Sequence, residues 1–562
     1  MAGKIISSLS AYGGMIGKVE HKKIGLYAAR ANKVQQKVLK DLMRVNKNTV
    51  YGKKYGFKDI KSVEEYQDKV PYTTYDDYAE YVERMLKGEK HLITNYHISK
   101  FSESSGSVGR PKVIPLSTRT LWVLQCFSFS APIGCAAKYF ERQGKKLPAQ
   151  KGLLTVEITS HKTPTGRTIS CVSGIPLMFL KPIIKFFATS PKEIMFPKDP
   201  GAMDMHYLKL RFALPERDVT YLGTIIITVL ETMFNYLEDN WQMLCDDIEK
   251  GTINPSVRVP ADVRAQLEKQ IKPDPQRAAD LRREFEKGFD TPIVPRIWPK
   301  ACWVYGMGAS NLSVYSKRLR KYIGDLPMHH MGYGASEAYM AIPLELNSDD
   351  NVMIPENGFY EFLPVGAPEG TRPLTIDKLE VGEEYELILT NICGLYRYRI
   401  EDVLRVNGFY RQSPIVTFMY RLNQVLNIAG EKTSQQMVDW AVAKMSEKYN
   451  ITTVGYSVYA DLSTSPGHYV LFLEPIDDIA TDKCDELAKE FDERLSEANL
   501  FISDAKGTGT LGDTEVKILK KGTYGEYREM LKKNGANLNQ VKPIRVINTQ
   551  EKKEFFYNHI CE

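Results

Sequence analysis

Ser104-Ser105-Gly106-Ser107-Val108-Gly109-Arg110-Pro111-Lys112 gathers three serine hydroxyls, two glycines and a terminal cation into nine positions. Glycine lets successive backbone N–H groups turn toward one point, hydroxyls add donors, and Lys112 adds charge, a combination suited to a polyphosphate. The stretch is not a Walker loop, because Gly-Lys-Ser/Thr is missing, and its plain alternative is a surface turn. It also marks a change of texture. Upstream, apolar residues recur every three or four positions from Leu26 to Val45, predicting one amphipathic helix within a mainly helical first hundred residues. Downstream, short apolar segments such as Gly152 to Ile158 alternate with Pro and Gly breaks and helical stretches, the pattern of an α/β domain.

Further along, Pro260 and Pro275 each open a charged helical run, and strand character returns at Ala301 to Tyr305 and Tyr385 to Thr390. After about Met419 the pattern resets. A helix around Met437 to Met445, strands at Gly455 to Tyr459 and His468 to Leu473, a helix at Asp482 to Leu495, and then strand, helix and strand predict a smaller α+β unit. The expected division is 1–420 and 421–562, with no internal repeat.

Three more segments carry chemistry. Tyr333-Gly334-Ala335-Ser336-Glu337 displays one carboxylate in a small-residue loop; Mg²⁺ keeps most of its waters and needs only one or two protein oxygens. A glycine turn with a solvated Glu is the alternative. With Ala338 the segment narrowly misses the G-x-S-x-G elbow of serine hydrolases. The preceding pair His329-His330 would point to opposite faces of a strand, which argues against a shared metal. Gly394-Leu395-Tyr396-Arg397-Tyr398-Arg399-Ile400-Glu401-Asp402 reads either as a strand with one polar face or as a strand ending in an aspartate placed to accept from a ribose diol. Near the end, Gly535 to Pro543 contains Lys542, which alone would be an ordinary surface lysine.

Composition narrows the classes. With 562 residues the chain exceeds one ordinary core. Its 75 Lys+Arg against 69 Asp+Glu give a net charge of +6, too dilute for a phosphate-backbone groove, so no nucleic-acid partner is expected. The apolar stretches Tyr221 to Leu230 and Ile169 to Leu180 are too short to span a bilayer, and the Ser- and Gly-containing run Ile5 to Ile16 reads as part of the folded domain rather than a signal peptide. None of the eight cysteines forms a CxxC pair, which predicts reduced thiols in a cytoplasmic protein with no membrane partner.

In this order and spacing the four segments resemble those of the adenylate-forming superfamily of acyl-CoA synthetases, peptide-synthetase adenylation domains and luciferases. Within it the chain is similar to the Gretchen Hagen, or auxin-responsive, family of acyl acid amido synthetases, known in plants and found in bacteria, and a bacterial member is expected. The similarity runs through Thr49-Val50-Tyr51-Gly52, Tyr360-Glu361-Phe362-Leu363-Pro364, Gly382 to Thr390 with Gly394 to Arg399, and Gly522-Thr523-Tyr524 followed by Gly535 to Lys542.

The resemblance implies a large N-terminal adenylation domain of mixed sheets flanked by helices and a small mobile C-terminal lid. It implies ATP and Mg²⁺, with Ser104, Ser105, Gly106 and Ser107 cradling phosphates and Tyr333, Gly334 and Ser336 bordering adenine and ribose. Glu337 would hold Mg²⁺, Asp402 the ribose hydroxyls, and Arg421 the hinge, while Lys432 and Lys542 would act at the α-phosphate or acyl carboxylate. Two positions depart from the family: Glu401 stands where glycine usually precedes the ribose aspartate, and Val108 where a hydroxyl residue is common. The implied reaction joins a small carboxylic acid to an amino acid or other amine through an acyl adenylate, in a monomer. An acyl-CoA ligase, a non-catalytic nucleotide- or acyl-binding homologue, and a serine hydrolase are the rival readings. The acid's walls are expected around Leu121 to Phe129 and Ile169 to Met178, suiting an aryl or alkyl acid.

Overall fold

The computed structural model describes residues 2–103, 112–308, 313–422, 426, 428, 433, 435–464, 466–507, 511–533, 543–547 and 549–561. They form two compact units, one of residues 1–400 and 404–417, the other of 401–403 and 418–562.

The first unit opens with helices Ala2–Ala28 and Ala31–Asn46. The single helix expected from Leu26 to Val45 is thus two, because Arg30 leaves helical geometry (φ −141°, ψ 35°) while the apolar spacing continues across the break. The first helix meets the long helix Thr118–Arg142 backbone to backbone: a Cβ on Gly17 would lie 2.1 Å from the Ser130 carbonyl oxygen, so only glycine fits. Thr118–Arg142 is the one helix among the described residues long and apolar enough to cross a membrane, and most of it is buried inside the unit.

Three sheets follow. Gly152–Leu154, Tyr221–Ile226, Trp303–Met307 and Met328–His329 run parallel in that spatial order. They share the largest hydrophobic core with helices Met205–Ala213, Ile227–Lys250 and Pro275–Phe285. The apolar stretch from Tyr221 to Leu230 therefore splits into the end of a strand and the start of a helix, both buried, which a continuous apolar run cannot distinguish. A second sheet orders Val113–Ser117, Ile98–Glu103, Thr168–Cys171 and Ser160–Lys162. The glycine-rich segment 104–112 joins its first two strands, antiparallel partners through Glu103 and Val113. The third sheet has seven strands, in the order Phe359–Pro364, Glu384–Thr390, Tyr398–Tyr410, Ser413–Arg421, Asn351–Met353, Tyr339–Pro343 and Tyr333–Gly334.

In the second unit Glu515–Ile518, His468–Pro475, Thr453–Asp461 and Val546–Ile547 make a four-stranded sheet. Strand His468–Pro475 shows period-2 alternation: Tyr469, Leu471 and Leu473 pack with helices Gln435–Lys448 and Cys484–Ala498, while Val470 and Phe472 pack with Thr523–Lys533 and Gln550–Tyr557. Two details depart from expectation: a short helix Leu500–Gly507 intervenes, and the last regular element is the helix Gln550–Tyr557 rather than a strand. Thr549 caps that helix by accepting from the Lys552 N–H, satisfying one of its open donors.

Candidate active site

The acidic segment sits at the tip of a hairpin. Tyr333–Gly334 pairs antiparallel with Tyr339–Pro343, and the Ala335 N–H donates to the Ala338 carbonyl 2.8 Å away, placing Ser336 and Glu337 at the corner. Gly332 makes the approach possible: its φ is +89° and a Cβ there would meet the Ala341 carbonyl oxygen at 2.4 Å. Asn391 Nδ2 holds the Glu337 carbonyl at 2.8 Å, and Glu337 is buried. A single fixed carboxylate of this kind has the hard oxygen donors that suit Mg²⁺. The two histidines diverge. His329 faces the Pro343 carbonyl at 3.1 Å, with burial lowering its pKa to about 3, while His330 lies 3.4 Å from Asp349. Among the described residues no group of three or more His, Cys, Asp or Glu gathers as a metal site.

The family blocks at 360–364 and 382–390 fall on neighbouring strands, and 394–399 is the turn that leads into the next strand, the three tied by ion pairs. Arg397 Nε lies 3.2 Å from both Glu361 carboxylate oxygens, Nη1 donates to the Gln67 and Val70 carbonyls, and the guanidinium covers the Tyr72 ring at 4.2 Å. Arg399 makes a two-point pair with Glu386 at 2.8 and 2.6 Å. Tyr396 is fully buried; its hydroxyl donates to the Ile93 carbonyl and its ring stacks on Tyr51 of the block at 49–52. The alternating Tyr and Arg are therefore not one solvated face but a buried lock between the sheet and the N-terminal helices. Gly394 (φ +105°) is indispensable, since a Cβ would meet Ile93 backbone at 2.9 Å.

Glu401 adopts φ +64°, the left-handed region that glycine enters freely. The departure from the family is thus a backbone matter as well as an added charge: this chain keeps the conformation without the residue that favours it. One position on, Asp402 is 2% exposed and its Oδ1 accepts from Arg421 Nε at 2.7 Å. Two of the expected nucleotide residues, from different segments, are therefore in contact. Tyr333, Gly334, Ser336 and Glu337 share the hairpin described above, and Lys112 Nζ lies 3.5 Å from the Tyr398 hydroxyl. Ser104, Ser105, Gly106, Ser107, Lys432 and Lys542 lie outside the described residues.

An apolar cavity opens in the first unit. Its walls combine Phe129 and Pro176, from the two expected stretches, with Leu154, Tyr221, Trp303 and Tyr305, which the sequence reading missed because they come from parallel strands far apart along the chain. No charged side chain lines it. Residues Cys126–Ser130 form a π-turn within the long helix, with the Ala131 N–H donating to the Cys126 carbonyl; the extra residue turns Ser128 and Phe129 to the cavity. Tyr305 donates its hydroxyl to the Ser128 carbonyl, bracing the turn.

Models of the GH3 family N-terminal, central and C-terminal domains match residues 20–328, 351–421 and 436–551. An indole-3-acetic acid-amido synthetase of Oryza sativa subsp. indica is 30% identical over 551 residues, covering 92% of this chain and 88% of the relative. A jasmonoyl-L-amino acid synthetase of Nicotiana attenuata is 27% identical over 547 residues, covering 92% and 91%. Among solved structures, an acyl acid amido synthetase in complex with 2,4-DB superposes with a TM-score of 0.83 at 26% identity over 96% of both chains. A 2-hydroxyisobutyryl-CoA ligase in its postadenylation state shares the fold at 12% identity and a TM-score of 0.52, over 94% of this chain and 91% of the ligase. The two relatives named here are plant proteins and lend no support to the bacterial membership expected.

Proposed function

The chain belongs to the GH3 family, and from that premise we propose that it is an ATP-dependent ligase which adenylates an apolar, ring-bearing carboxylic acid and passes the acyl group to an amino acid. The observation that carries this reading is the aromatic cavity, set in an adenylate-forming fold that matches the family over nearly its whole length. Phe129, Tyr221, Trp303 and Tyr305 offer flat surfaces for a ring. Because no lining side chain is charged, the cavity takes the apolar body of the acid and leaves its carboxylate outside, toward the nucleotide. The relatives' names point to indole-3-acetic acid and jasmonoyl substrates, both of this class.

A carboxylate resists attack by an amine because its charge is delocalised and oxide is an impossible leaving group. In the proposed sequence one carboxylate oxygen attacks the α-phosphorus of ATP, forming an acyl–phosphate bond as the bond to pyrophosphate breaks. The amine nitrogen then bonds to the acyl carbon, AMP departs with the electrons of the broken C–O bond, and a proton leaves the nitrogen. No enzyme nucleophile is required. Ser104, Ser105, Gly106 and Ser107 are assigned to the phosphates. Tyr333, Gly334 and Ser336 are assigned to the nucleoside, and Asp402 with Arg421 to the ribose end and hinge. Lys432 and Lys542 offset negative charge at the α-phosphate. Glu337 is the residue fitted to hold Mg²⁺, which when bound supplies further positive charge to the polyphosphate. The protein is proposed to act as a cytoplasmic monomer.

Mass spectrometry of the product tests the acceptor: an N-acyl amino acid is expected, whereas a thioester formed with CoA would favour the ligase reading. Loss of one transition-state donor costs about 10² to 10³ in rate, so Lys542→Ala should cut amide formation by that factor while ATP binding persists; an unchanged rate would remove Lys542 from the mechanism.

A further inference from the structure

Two short helices, Ile175–Leu180 and Lys181–Phe186, follow one another on the surface of the first unit. Ile175, Leu177, Ile184 and Phe187 anchor them in the interior, and Pro176 and Leu177 reach the apolar cavity. Their outward side is unlike an ordinary solvated face. Phe179 is 51% exposed, Pro182 is exposed, and Leu180, Ile183 and Phe186 are half-buried. The charges set among them are lysines. Lys100 Nζ lies 3.8 Å from Met178 Sδ and 5.0 Å over the Phe179 ring, Lys181 Nζ lies over Phe196 at 4.9 Å, and Lys185 Nζ over Phe186 at 5.2 Å; among the described residues none of the three joins an ion pair. Burial and the neighbouring Lys162 lower the Lys100 pKa, with no carboxylate opposing them. From Ile158 to Lys192 the chain carries five basic residues and no Asp or Glu, although acids and bases nearly balance over the whole sequence.

A single exposed apolar side chain is normal on a soluble surface. Apolar and basic groups interleaved without an acid, however, suit a partner that is apolar and anionic at once. A bilayer containing acidic phospholipid is both: its acyl boundary takes rings and branched chains, while lysines lying along apolar surface keep their ammonium groups at the level of the phosphates. We propose that the outward face of residues 175–186 docks on an anionic membrane surface, with Phe179 and Ile183 entering the acyl boundary and Lys100, Lys181 and Lys185 against the headgroups. The apolar stretch from Ile169 to Leu180 is too short to span a bilayer, and a surface contact needs no span. Because Pro176 and Leu177 of the same helix wall the apolar cavity, docking also gives an apolar acid dissolved in the bilayer a short path to that cavity. That consequence rests on the acid-activating reading above; the docking itself does not.

Sedimentation of the full chain with vesicles of phosphatidylcholine, alone or mixed with phosphatidylserine, tests the face whether or not the protein turns over. Wild type should bind the mixed vesicles, bind plain phosphatidylcholine more weakly, and be released by added salt. One basic residue near an anionic surface contributes about fivefold in partition, so the double variant Lys181→Ala/Lys185→Ala should bind roughly 25-fold more weakly. Phe179→Ser should also weaken binding with an unchanged far-UV spectrum, and Phe179→Trp should add blue-shifted emission over wild type when mixed vesicles are present. No binding of wild type to mixed vesicles, or equal binding by the lysine and Phe179 variants, overturns the docking face. So does self-association of the free protein that Phe179→Ser abolishes, since a second copy then covers the face. Failure of wild type to adenylate any acid would strike the proposed reaction instead, and the vesicle result would still decide the surface.

Discussion

Glu356 and Glu361 stand five positions apart around the start of strand Phe359–Pro364, Glu361 fully buried and the Glu356 side chain 9% exposed, yet their surroundings are opposite in kind. Glu361 meets Arg397 through both oxygens and takes a further bond from Gln67, and Arg397 is itself completed by two carbonyls and an aromatic face. Glu356 has as its nearest cation Lys23, 3.5 Å away and shared with Glu20. The contrast separates a carboxylate locked by several donors from one held by a single shared lysine. Burial alone raises the pKa of both, so burial cannot make the distinction. The count of donors can.

The largest effect should come from breaking the completed side. Glu361→Ala leaves the Arg397 charge buried without its anion, and removal of one partner from a buried pair typically costs about 3–5 kcal/mol. Chemical denaturation should register a loss of that order; a loss under about 1 kcal/mol would erase the difference between the two sites. The other side should respond to pH. Glu356 faces Lys23 and Glu20, and it borders the same cavity as Glu337 and Arg119. Its carboxyl ionises near 7 when folded and near 4.5 when unfolded. Its contribution to stability is therefore full below about pH 4.5 and is lost as pH rises through 7, with a slope of at most about 1.4 kcal/mol per pH unit. Glu356→Gln should flatten that slope in unfolding curves taken from pH 5 to 8, and an identical slope in the variant would contradict the assignment.

The smallest effect extends the comparison to the backbone. Arg397 (φ +46°) and Glu401 (φ +64°) both hold left-handed geometry within one motif. Arg397 is compensated by the bonds of its side chain, so Arg397→Gly should destabilise. Glu401→Gly should stabilise by about 1 kcal/mol, because left-handed backbone costs an L-residue roughly that much. A higher melting temperature for Glu401→Gly is the expected reading, and a lower one would mean that the glutamate side chain compensates for its own backbone.

Much of this was legible in the sequence. The helical start, the α/β texture, the proline-initiated helices at Ala261–Glu268 and Pro275–Phe285, and the smaller C-terminal unit follow from local periodicity and breakers. Glu401 stood out as a foreign residue at a glycine position, but sequence could not supply its φ. The apolar cavity was half visible. Phe129 and Pro176 lie in apolar stretches that call attention to themselves, whereas Tyr221, Trp303 and Tyr305 reach the same cavity through the register of parallel strands, which no local pattern encodes. Glu356 belongs to no motif, and its pairing with Lys23 is visible only once segments more than three hundred positions apart are packed together.

The central claim is that this chain activates an acid with ATP before any amine enters. Exchange of labelled pyrophosphate into ATP, measured without amine across a panel of aryl and alkyl acids, tests it most directly. The account predicts exchange that depends on an apolar ring-bearing acid; folded protein that catalyses no exchange with any acid of the panel would contradict it.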